Sequence, residues 1–494
     1  MPPSTLVASS DADHRRTHDH DARGPEVPTT LTALQVADLR AALPYVDGWL
    51  SYRRWRERVP GVQAAVWFDD ALQLSSAHGL ADEEAGAPLT TEHLFRIASH
   101  SKTFTATAVL QLVERGVLRL DDPVGQHVPR LAEAGSRLAD ATVRELLEHG
   151  AGVIRDGLDG DYWQHGRPFP DEAELIEMLL DRGDKAAAGS GFNYSNLGYS
   201  LLGLVVAAVS GRSYGDFVTE SIVEPLGLRH TGPEWDESRA DEYAAGHSGR
   251  HVSQTRVRLG HVDTRAMAAA TGFYGTASDL VRYASAHFDG DERLLGEHSK
   301  RLAQREAWQS DASQPESAHY GLGFVIDRVG GHRVVGHSGG YPGHITRTLF
   351  DPALGLAVSV LTNAVDGPAT ALSSGVLRLL DLALEPAPPG LATRASSTGV
   401  DPTRFTGRFA GEFGIVDVAL LGENLVALHP SGTDPVDGMD RLRVTGPDEL
   451  LIARGNGFGA VGETMRYEFD ADGRVSRLRG AGGMSMRPVT ELEG

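Results

Sequence analysis

Apolar positions follow strand-like patterns at both ends of the first 385 residues and helical patterns between them. The apolar run Gly61–Phe68 predicts a buried strand, and Leu72–Ala77 predicts its hairpin partner. Ser99–Arg115 and Leu197–Val209 carry apolar side chains at helical spacing, and a last helix is predicted over 370–384. The strands that return before it are Gly323–Ile326, Arg333–Gly336, Ile345–Phe350 and Leu356–Thr362. This order predicts an α+β fold, in which helices flank one antiparallel sheet built from both ends, with a helical insertion.

Composition divides the chain into four parts. Residues 1–32 are polar and lack periodicity, which predicts a disordered tail, whereas residues 33–385 carry the mixed patterns. A Pro-rich stretch at 386–400 predicts a linker. Residues 401–494 hold short β patterns between Gly and Asp turns, which predict a small all-β barrel or sandwich. The tail contains the histidines His14, His18 and His20, which are more simply interpreted as scattered polar residues than as a metal site.

The 494-residue chain contains no cysteine, which excludes disulfides, thiolate metal sites, iron–sulfur clusters and a cysteine nucleophile. Its 46 basic and 67 acidic residues give a net charge of −21, which argues against a nucleic-acid partner and favours solubility. No apolar run near the N-terminus resembles a secretory signal, and the interior apolar runs are shorter than a membrane span. We therefore expect a cytoplasmic protein with neither a membrane nor a nucleic-acid partner.

Ser99 and Lys102 are the first candidates for chemistry. Both lie at the beginning of the predicted helix Ser99–Arg115, and residues three apart share a helix face, so the lysine amine can reach the serine hydroxyl. The helix N-terminus favours negative charge at that oxygen. Burial would lower the pKa of the lysine and make it a base. Such a pair, taken alone, is more often an N-cap serine beside a solvated lysine.

Tyr194 and Asn196 directly precede the predicted helix Leu197–Val209. A tyrosine beside a serine–lysine pair can carry a proton to a leaving group, and an asparagine amide can orient a substrate carbonyl or amide. The alternative is a packed aromatic residue with a Ser/Asn helix cap. The pattern by itself leaves both interpretations open.

His337, Gly339 and Gly340 follow the predicted strand Arg333–Gly336. Small residues at such a place let a substrate backbone approach closely. The backbone N–H of Gly340 could then pair with that of Ser99 as an oxyanion hole. A Gly-rich turn between two strands is the alternative interpretation.

The same stretch fits the G-x-S-x-G pattern of a nucleophile elbow, with Ser338 as the nucleophile. That elbow requires a strand before the serine and a helix after it. Here Tyr341-Pro342-Gly343 follows, and then a predicted strand. Ser338 is therefore rejected as the nucleophile.

Together and in this order, the three motifs resemble those of the serine β-lactamase and penicillin-binding-protein superfamily, which has Ser-x-x-Lys, then Tyr-x-Asn, then Lys/His-x-Gly before a sheet strand. Other stretches between residues 45 and 385 resemble recurring blocks of that superfamily: Phe95–Ser99, Lys102–Ala106, Val117–Val124, Leu146–His149, Glu224–Leu228 and Tyr320–Phe324. The C-terminal part resembles the lipocalin-like domain of some D-aminopeptidases and penicillin-binding-type thioesterases. The resemblance implies a β-lactamase/transpeptidase-like domain followed by a lipocalin-like barrel.

Residue by residue, the resemblance implies Ser99 as the acyl-accepting nucleophile and Lys102 as its base. Tyr194 would move the proton to and from the leaving group, and Asn196 would hold the substrate. His337 stands where class C β-lactamases have lysine, and histidine is usual there in the esterase, D-peptidase and thioesterase branches. This departure argues against antibiotic hydrolysis as the main role.

Four further residues are candidates for lining the cleft. Arg155 and Trp163 lie in the loop after Leu146–His149, where a surface loop with a packed aromatic residue is the common alternative. Arg454 belongs to a Gly-rich stretch of the β-rich part that could reach the site or simply form a hairpin turn. Arg487 could bind a substrate carboxylate or be a surface arginine.

These residues predict a serine acyl-enzyme hydrolase or acyltransferase that acts on an ester, an amide or a D-configured peptidyl substrate. The substrate would be a small molecule or a peptidyl group, a carrier-bound thioester included, and no cofactor or metal is expected. A thioesterase or transacylase that cyclises or transfers a peptidyl group is the alternative. A non-catalytic penicillin-recognising protein is a further alternative.

Overall fold

The computed structural model describes residues 31–489 except 184–185, 251–252, 315–316, 396–397 and 456, so the tail histidines lie outside the described residues. The α-helices are α1 (Ala33–Glu57), α2 (Ser101–Glu114), α3 (Pro129–Glu133), α4 (Val143–Leu147), α5 (Glu172–Arg182), α6 (Asn196–Ser210), α7 (Tyr214–Val218), α8 (Ala277–Ser285), α9 (Glu297–Ala303) and α10 (Ala369–Leu384). Within these ranges no single helix has the length and apolar character of a membrane span; one pair, Asn196–Ser210 with Tyr214–Val223, passes only when joined across an 80° bend.

One antiparallel sheet organises the first 385 residues, as predicted. The strands there are β1 (Gly61–Phe68), β2 (Ala71–Asp82), β3 (Ala87–Pro88), β4 (Phe95–Arg96), β5 (Gly246–His247), β6 (Arg258–Leu259), β7 (Tyr274–Gly275), β8 (Trp308–Gln309), β9 (His319–Tyr320), β10 (Val325–Val329), β11 (His332–Tyr341), β12 (His344–Asp351) and β13 (Leu356–Thr362). The nine-stranded sheet has the order β3-β2-β1-β13-β12-β11-β10-β9-β8. Val62 of β1 lies opposite Thr362 of β13, so strands from both ends meet at its centre.

Alternate side chains of the central strands face two separate apolar cores. On β1, Val62, Ala64 and Val66 pack into the core shared with α1 and α10, whereas Ala65 and Trp67 belong to the core that contains α2 and α8. This division follows from the two-residue period of a strand. The helix α2, which begins beside Ser99, therefore lies on the opposite face of the sheet from α1 and α10.

The helix α1 is absent from the elements that were predicted from the sequence. It spans 25 residues and contains Pro44, a residue that normally interrupts a helix interior. Its buried side chains, among them Leu39, Val46 and Leu50, pack into the core with the sheet and α10. This tertiary packing outweighs the local cost of the proline, because most helix stability in proteins comes from burial of one face.

The C-terminal part is a closed antiparallel barrel, as predicted. Its strands are β14 (Gly407–Gly411), β15 (Gly414–Leu421), β16 (Asn424–Leu428), β17 (Asp440–Gly446), β18 (Glu449–Arg454), β19 (Thr464–Phe469), β20 (Val475–Arg479) and β21 (Ser485–Pro488). The interior is filled by apolar side chains such as Phe409 and Leu442. Ala419, Leu421 and Val426 instead join the core of α1 and α10. The barrel therefore docks on the α1/α10 side of the larger, N-terminal domain.

Polar contacts reinforce this junction. The hydroxyl of Tyr45 on α1 donates to Asp417 of β15 at 2.9 Å. Arg394, within the Pro-rich stretch, bonds Glu423 of the barrel at 3.1 Å and pairs with Asp38 of α1. The stretch between the domains is thus bonded to both of them.

Candidate active site

Ser99 lies in a 3-10 turn, Ala98–His100, directly before α2. Ala98 has a φ of +46°, in the left-handed region that is costly for a residue with a Cβ. The Ser101 hydroxyl donates to the Ala98 carbonyl at 2.6 Å and accepts from the Phe273 N–H at 3.1 Å, which anchors the strained turn. Ser99 is partly exposed while the residues on either side are buried. The turn therefore presents the Ser99 side chain at the surface of α2's N-terminus.

Lys102 is fully buried beside Ser99, and its three hydrogen-bond partners are uncharged. Its Nζ lies 3.2 Å from Ser99 Oγ, 2.7 Å from Asn196 Oδ1 and 2.9 Å from the Ala270 carbonyl oxygen. Burial lowers the pKa of Lys102 well below its usual value, and the charge of Asp156 opposes part of that shift. A depressed pKa increases the share of neutral amine near pH 7.

The partners of Lys102 determine where its lone pair points. A neutral amine offers two N–H donors and one lone pair, whereas the Asn196 side-chain oxygen and the Ala270 carbonyl oxygen only accept. The protonated amine donates its third N–H to Ser99 Oγ, whereas in the neutral amine the two oxygens take the two N–H groups and the lone pair is left for the Ser99 hydroxyl. This is the arrangement that a general base for Ser99 requires.

Tyr194 lies against the same pair. The Lys102 Nζ is 4.7 Å from the centre of the Tyr194 ring. Burial raises the pKa of the Tyr194 phenol above its usual value, while a hydrogen bond with Ser99 and the nearby charge of Arg155 lower it in part. A raised pKa keeps the phenol protonated at neutral pH, so Tyr194 is able to donate a proton there.

Asn196 is the first residue of α6, whose N-cap is Ser195. Its backbone N–H bonds the Arg155 carbonyl at 2.9 Å, which ties the loop after α4 to the start of α6. Its side-chain Nδ2 donates to Asp156 Oδ1 at 2.7 Å. Asp156 is absent from the sequence-based candidates, and its only signal there was its position next to Arg155.

His337 lies within β11, because the strand continues through Tyr341 instead of ending at Gly336. No helix follows, in keeping with the rejection of Ser338. His337 Nδ1 is 2.6 Å from the Ser338 carbonyl and therefore carries the proton, while Nε2 accepts from the Tyr320 hydroxyl at 3.1 Å. Burial and the nearby Lys102 hold the pKa of His337 well below its usual value.

His149 is a second residue that sequence reasoning did not single out. Its φ of +59° and its buried ring are features of the tertiary structure. Nδ1 accepts from the Ser195 N–H at 3.1 Å, and the ring packs 4.4 Å from the Tyr194 ring and 4.7 Å from the Tyr320 ring between centroids. Burial and the charge of Lys102 lower its pKa well below the usual value, so it packs against Tyr194 as a neutral group.

The side chains of the site are placed for proton transfer. Both His149 and His337 have Nδ1 engaged by the backbone. Within the described ranges, no group of three or more histidine, aspartate or glutamate side chains is placed to hold a metal ion. The chemically competent groups beside one another are the Ser99 hydroxyl, the Lys102 amine and the Tyr194 phenol.

Gly339 allows β11 to approach the segment before Ser99. A Cβ at this position would lie 2.1 Å from the Ile97 carbonyl oxygen and 2.6 Å from Thr346 Oγ1. Both distances are far inside van der Waals contact, so any side chain would push the strand away. At Gly340, a Cβ would meet only Ile345 Cδ1, at 3.6 Å.

We expect Gly339→Val to separate β11 from the turn that carries Ser99. The overpacking should lower the free energy of unfolding by about 1–3 kcal/mol. Displacement of the strand should lower kcat/KM about 10²-fold, because reacting groups tolerate little misplacement. Gly331→Ala is the control, since a Cβ there would meet nothing within 4 Å. Thermal unfolding and ester turnover measure both effects; equal behaviour of the two variants would contradict this role of Gly339.

Of the four cleft candidates, the structure brings two to the site. The Arg155 guanidinium lies 5.2 Å from the Tyr194 ring centre and bonds Asp156 through Nε at 3.1 Å. The Trp163 indole N–H donates to Asp156 Oδ1 at 3.0 Å, and the ring packs against the core of α2. Arg155 is therefore at the edge of the site, and Trp163 supports it from behind.

Arg454 and Arg487 are not brought to the site, which corrects both proposals. Arg454 ends β18 and Arg487 lies in β21, and both are exposed on the barrel. The barrel docks on α1 and α10, across the sheet from α2 and Ser99. The reason is the apolar outer face of β15 and β16, which the sequence pattern did not assign to a docking partner.

Comparison with known proteins places this site in a family. The family model described as Beta-lactamase matches residues 44–382. Penicillin-binding protein 4 of Amycolatopsis lactamdurans is 28% identical over 391 residues, which cover 74% of this chain and 98% of that protein. The region that the family model matches contains Ser99, Lys102, Tyr194, Asn196 and His337.

Two solved structures resemble the whole chain or its larger domain. The crystal structure of SurE with D-Leu has a TM-score of 0.57 and 25% identity, and the match covers 92% of this chain and 100% of that one. D-amino acid amidase from Ochrobactrum anthropi SV3, complexed with D-phenylalanine, has a TM-score of 0.57 and 26% identity over 69% of this chain and 98% of that one. Since the family model spans most of the chain and the site lies within it, the protein belongs to the beta-lactamase family.

Proposed function

We propose that the protein is a serine acyl-enzyme hydrolase for ester or amide substrates whose acyl group is a D-configured amino acid or peptide. The observation that carries the proposal is the 3.2 Å contact between Ser99 Oγ and the buried Lys102 amine, whose other two partners are carbonyl oxygens. An amine held in this way is a base aimed at a nucleophile. The preference for D-configured acyl groups is supported by the similarity to a D-amino acid amidase, which has been crystallised with both enantiomers of phenylalanine, and to SurE, which has been crystallised with D-Leu.

The proposed reaction begins when Ser99 Oγ bonds to the substrate carbonyl carbon and Lys102 takes the hydroxyl proton. The N–H groups of Ser99 and Gly340 hold the resulting oxyanion. The bond to the leaving group then breaks, and Tyr194 donates a proton to the departing nitrogen or oxygen and regains one from Lys102. Water then attacks the acyl carbon, and the protons move between Tyr194, Lys102 and Ser99 in the opposite direction. This second step releases the acid and restores the Ser99 hydroxyl.

Trapping of the acyl-enzyme tests the proposal. D- and L-phenylalanine methyl esters and amides are mixed with the protein, quenched in acid and analysed by intact mass. Trypsin cleavage after Arg96 and after Lys102 releases Ile97–Lys102, so fragmentation of this peptide locates the adduct on Ser99 or Ser101. We expect a Ser99 adduct and a D-over-L ratio in kcat/KM of about 10 or more.

Each other outcome removes one part of the proposal. Absence of an adduct and of turnover with all four substrates contradicts the acyl-enzyme and favours a non-catalytic penicillin-recognising protein. A Ser99 adduct formed equally from both enantiomers retains the hydrolase and removes the D-preference. Adding a primary amine tests the acceptor: capture of the acyl group as an amide, at the expense of the acid, favours a transacylase over a hydrolase.

A further inference from the structure

The carboxylate of Asp156 joins three side chains around the proposed base. Oδ1 accepts from Asn196 Nδ2 at 2.7 Å and from the Trp163 indole N–H at 3.0 Å. Oδ2 accepts from Arg155 Nε at 3.1 Å. The carboxylate is largely shielded, with 19% of its side chain exposed. Asp156 does not touch Ser99 in any of these contacts, so its effect on the reaction must pass through its neighbours.

An asparagine amide has two chemically opposite ends, and its two neighbours here determine which end faces which. The ionised Asp156 carboxylate only accepts, so the Asn196 atom facing it must be the NH₂ group. The amide oxygen then faces Lys102 Nζ at 2.7 Å. If the amide were reversed, its NH₂ group would donate to the Lys102 lone pair and compete with the Ser99 hydroxyl.

We propose that Asp156 is a positioning residue for the Lys102 base: its carboxylate fixes the Asn196 amide so that the Lys102 lone pair is left for Ser99. The proposal rests on the proposed function, in which Lys102 deprotonates Ser99. Trp163 holds the same carboxylate oxygen and so supports its position. Asp156 thereby acts through Asn196 rather than on the substrate.

The carboxylate also acts on Lys102 through its charge. Asp156 raises the pKa of the amine, whereas burial and Arg155 lower it. The phenols of Tyr194 and Tyr199 lie with their ring centres 4.7 and 5.6 Å from Nζ, and the neutral rings of His149 and His337 lie nearby. Among these groups Asp156 is the acidic one, so its neutralisation should move the Lys102 pKa further down.

Two substitutions of Asp156 separate its effect on the orientation of the Asn196 amide from the effect of its charge on Lys102. Asp156→Asn keeps an oxygen that can accept from Asn196 and Trp163 but removes the charge. Asp156→Leu removes both the oxygen and the charge at similar volume. Asp159→Asn is the matched control in the same loop, because Asp159 is half-exposed and pairs with Arg167 at 3.3 Å.

The titration of Lys102 can be measured directly, because the sequence contains only three lysines, at positions 102, 185 and 300. Protein labelled with ¹³C at lysine Cε gives one signal per lysine, and Lys102→Met identifies that of Lys102. We expect the Lys102 pKa to fall in Asp156→Asn and Asp156→Leu, because the charge of Asp156 raises it in the wild type, and to stay unchanged in Asp159→Asn. This readout does not depend on turnover, so it distinguishes failure of this inference from failure of the proposed function.

Kinetics then test the orientation. On the pH-independent plateau above the Lys102 pKa, Asp156→Leu should lower kcat/KM about 10²-fold, and Asp156→Asn should lose far less. The acid limb of the profile should move to lower pH in both variants. The proposal is overturned if Asp156→Leu and Asp156→Asn lose the same kcat/KM on the plateau, leave the Lys102 pKa unchanged and lower the melting temperature. Those results would show that Asp156 only stabilises the fold.

Discussion

Ser99→Ala is expected to abolish acyl-enzyme formation and to lower kcat/KM by about 10⁴-fold or more. The substitution removes the oxygen that bonds to the acyl carbon, and the loss of a nucleophile in serine hydrolases has effects of this size. The fold should be retained, because Ser99 is partly exposed and the strained turn is anchored by other groups. Intact mass after incubation with a D-configured ester, with circular dichroism for folding, measures the outcome.

Ser101→Ala is the matched control, since it removes a hydroxyl two residues away in the same tryptic peptide. Ser101 donates to the Ala98 carbonyl and accepts from the Phe273 N–H, so its loss should lower the free energy of unfolding by about 1–3 kcal/mol. The adduct should still form on Ser99. An adduct that persists in Ser99→Ala but disappears in Ser101→Ala would mean that the nucleophile has been misassigned.

Lys102→Met has the second-largest expected effect. Methionine fits the buried space but has neither a proton acceptor for Ser99 nor a charge, so acylation should fall about 10³–10⁴-fold. In the wild type, the acid limb of the pH profile of kcat/KM should lie well below the usual pKa of lysine, because burial lowers the Lys102 pKa. The activity rises with pH through that limb, since the base works only when it has lost its proton. In Lys102→Met this limb should vanish.

Lys102→Arg distinguishes a base from a fixed positive charge. The guanidinium stays protonated over the accessible pH range and cannot take the Ser99 proton. We therefore expect Lys102→Arg to be as inactive as Lys102→Met in stopped-flow acylation. Substantial acylation by Lys102→Arg would contradict the role of Lys102 as base and leave it an electrostatic one.

Local contacts account for the parts of the site that sequence predicts well. Ser99 and Lys102 are three residues apart, and the 3-10 turn that leads into α2 places their side chains 3.2 Å from each other. The apolar spacing of α6 and the β patterns of the central strands likewise depend on nearby positions. Local signals do not account for the helix α1 in the same way. Its proline, Pro44, disfavours a helix locally, and packing against α10 outweighs that cost.

By itself, the sequence determined the pairing of Ser99 with Lys102, the antiparallel sheet and the C-terminal barrel, because these rest on periodicity and short spacings. Only the tertiary structure decided which residues surround the pair. Asp156 reaches Lys102 through Asn196, 40 positions along the chain, and no pattern records such a contact. Arg454 and Arg487 lie across the sheet from Ser99 because burial of the outer face of β15 and β16 against α1 and α10 determines where the barrel docks. Contacts between distant segments depend on which apolar faces pack together, and that choice is made by the whole fold.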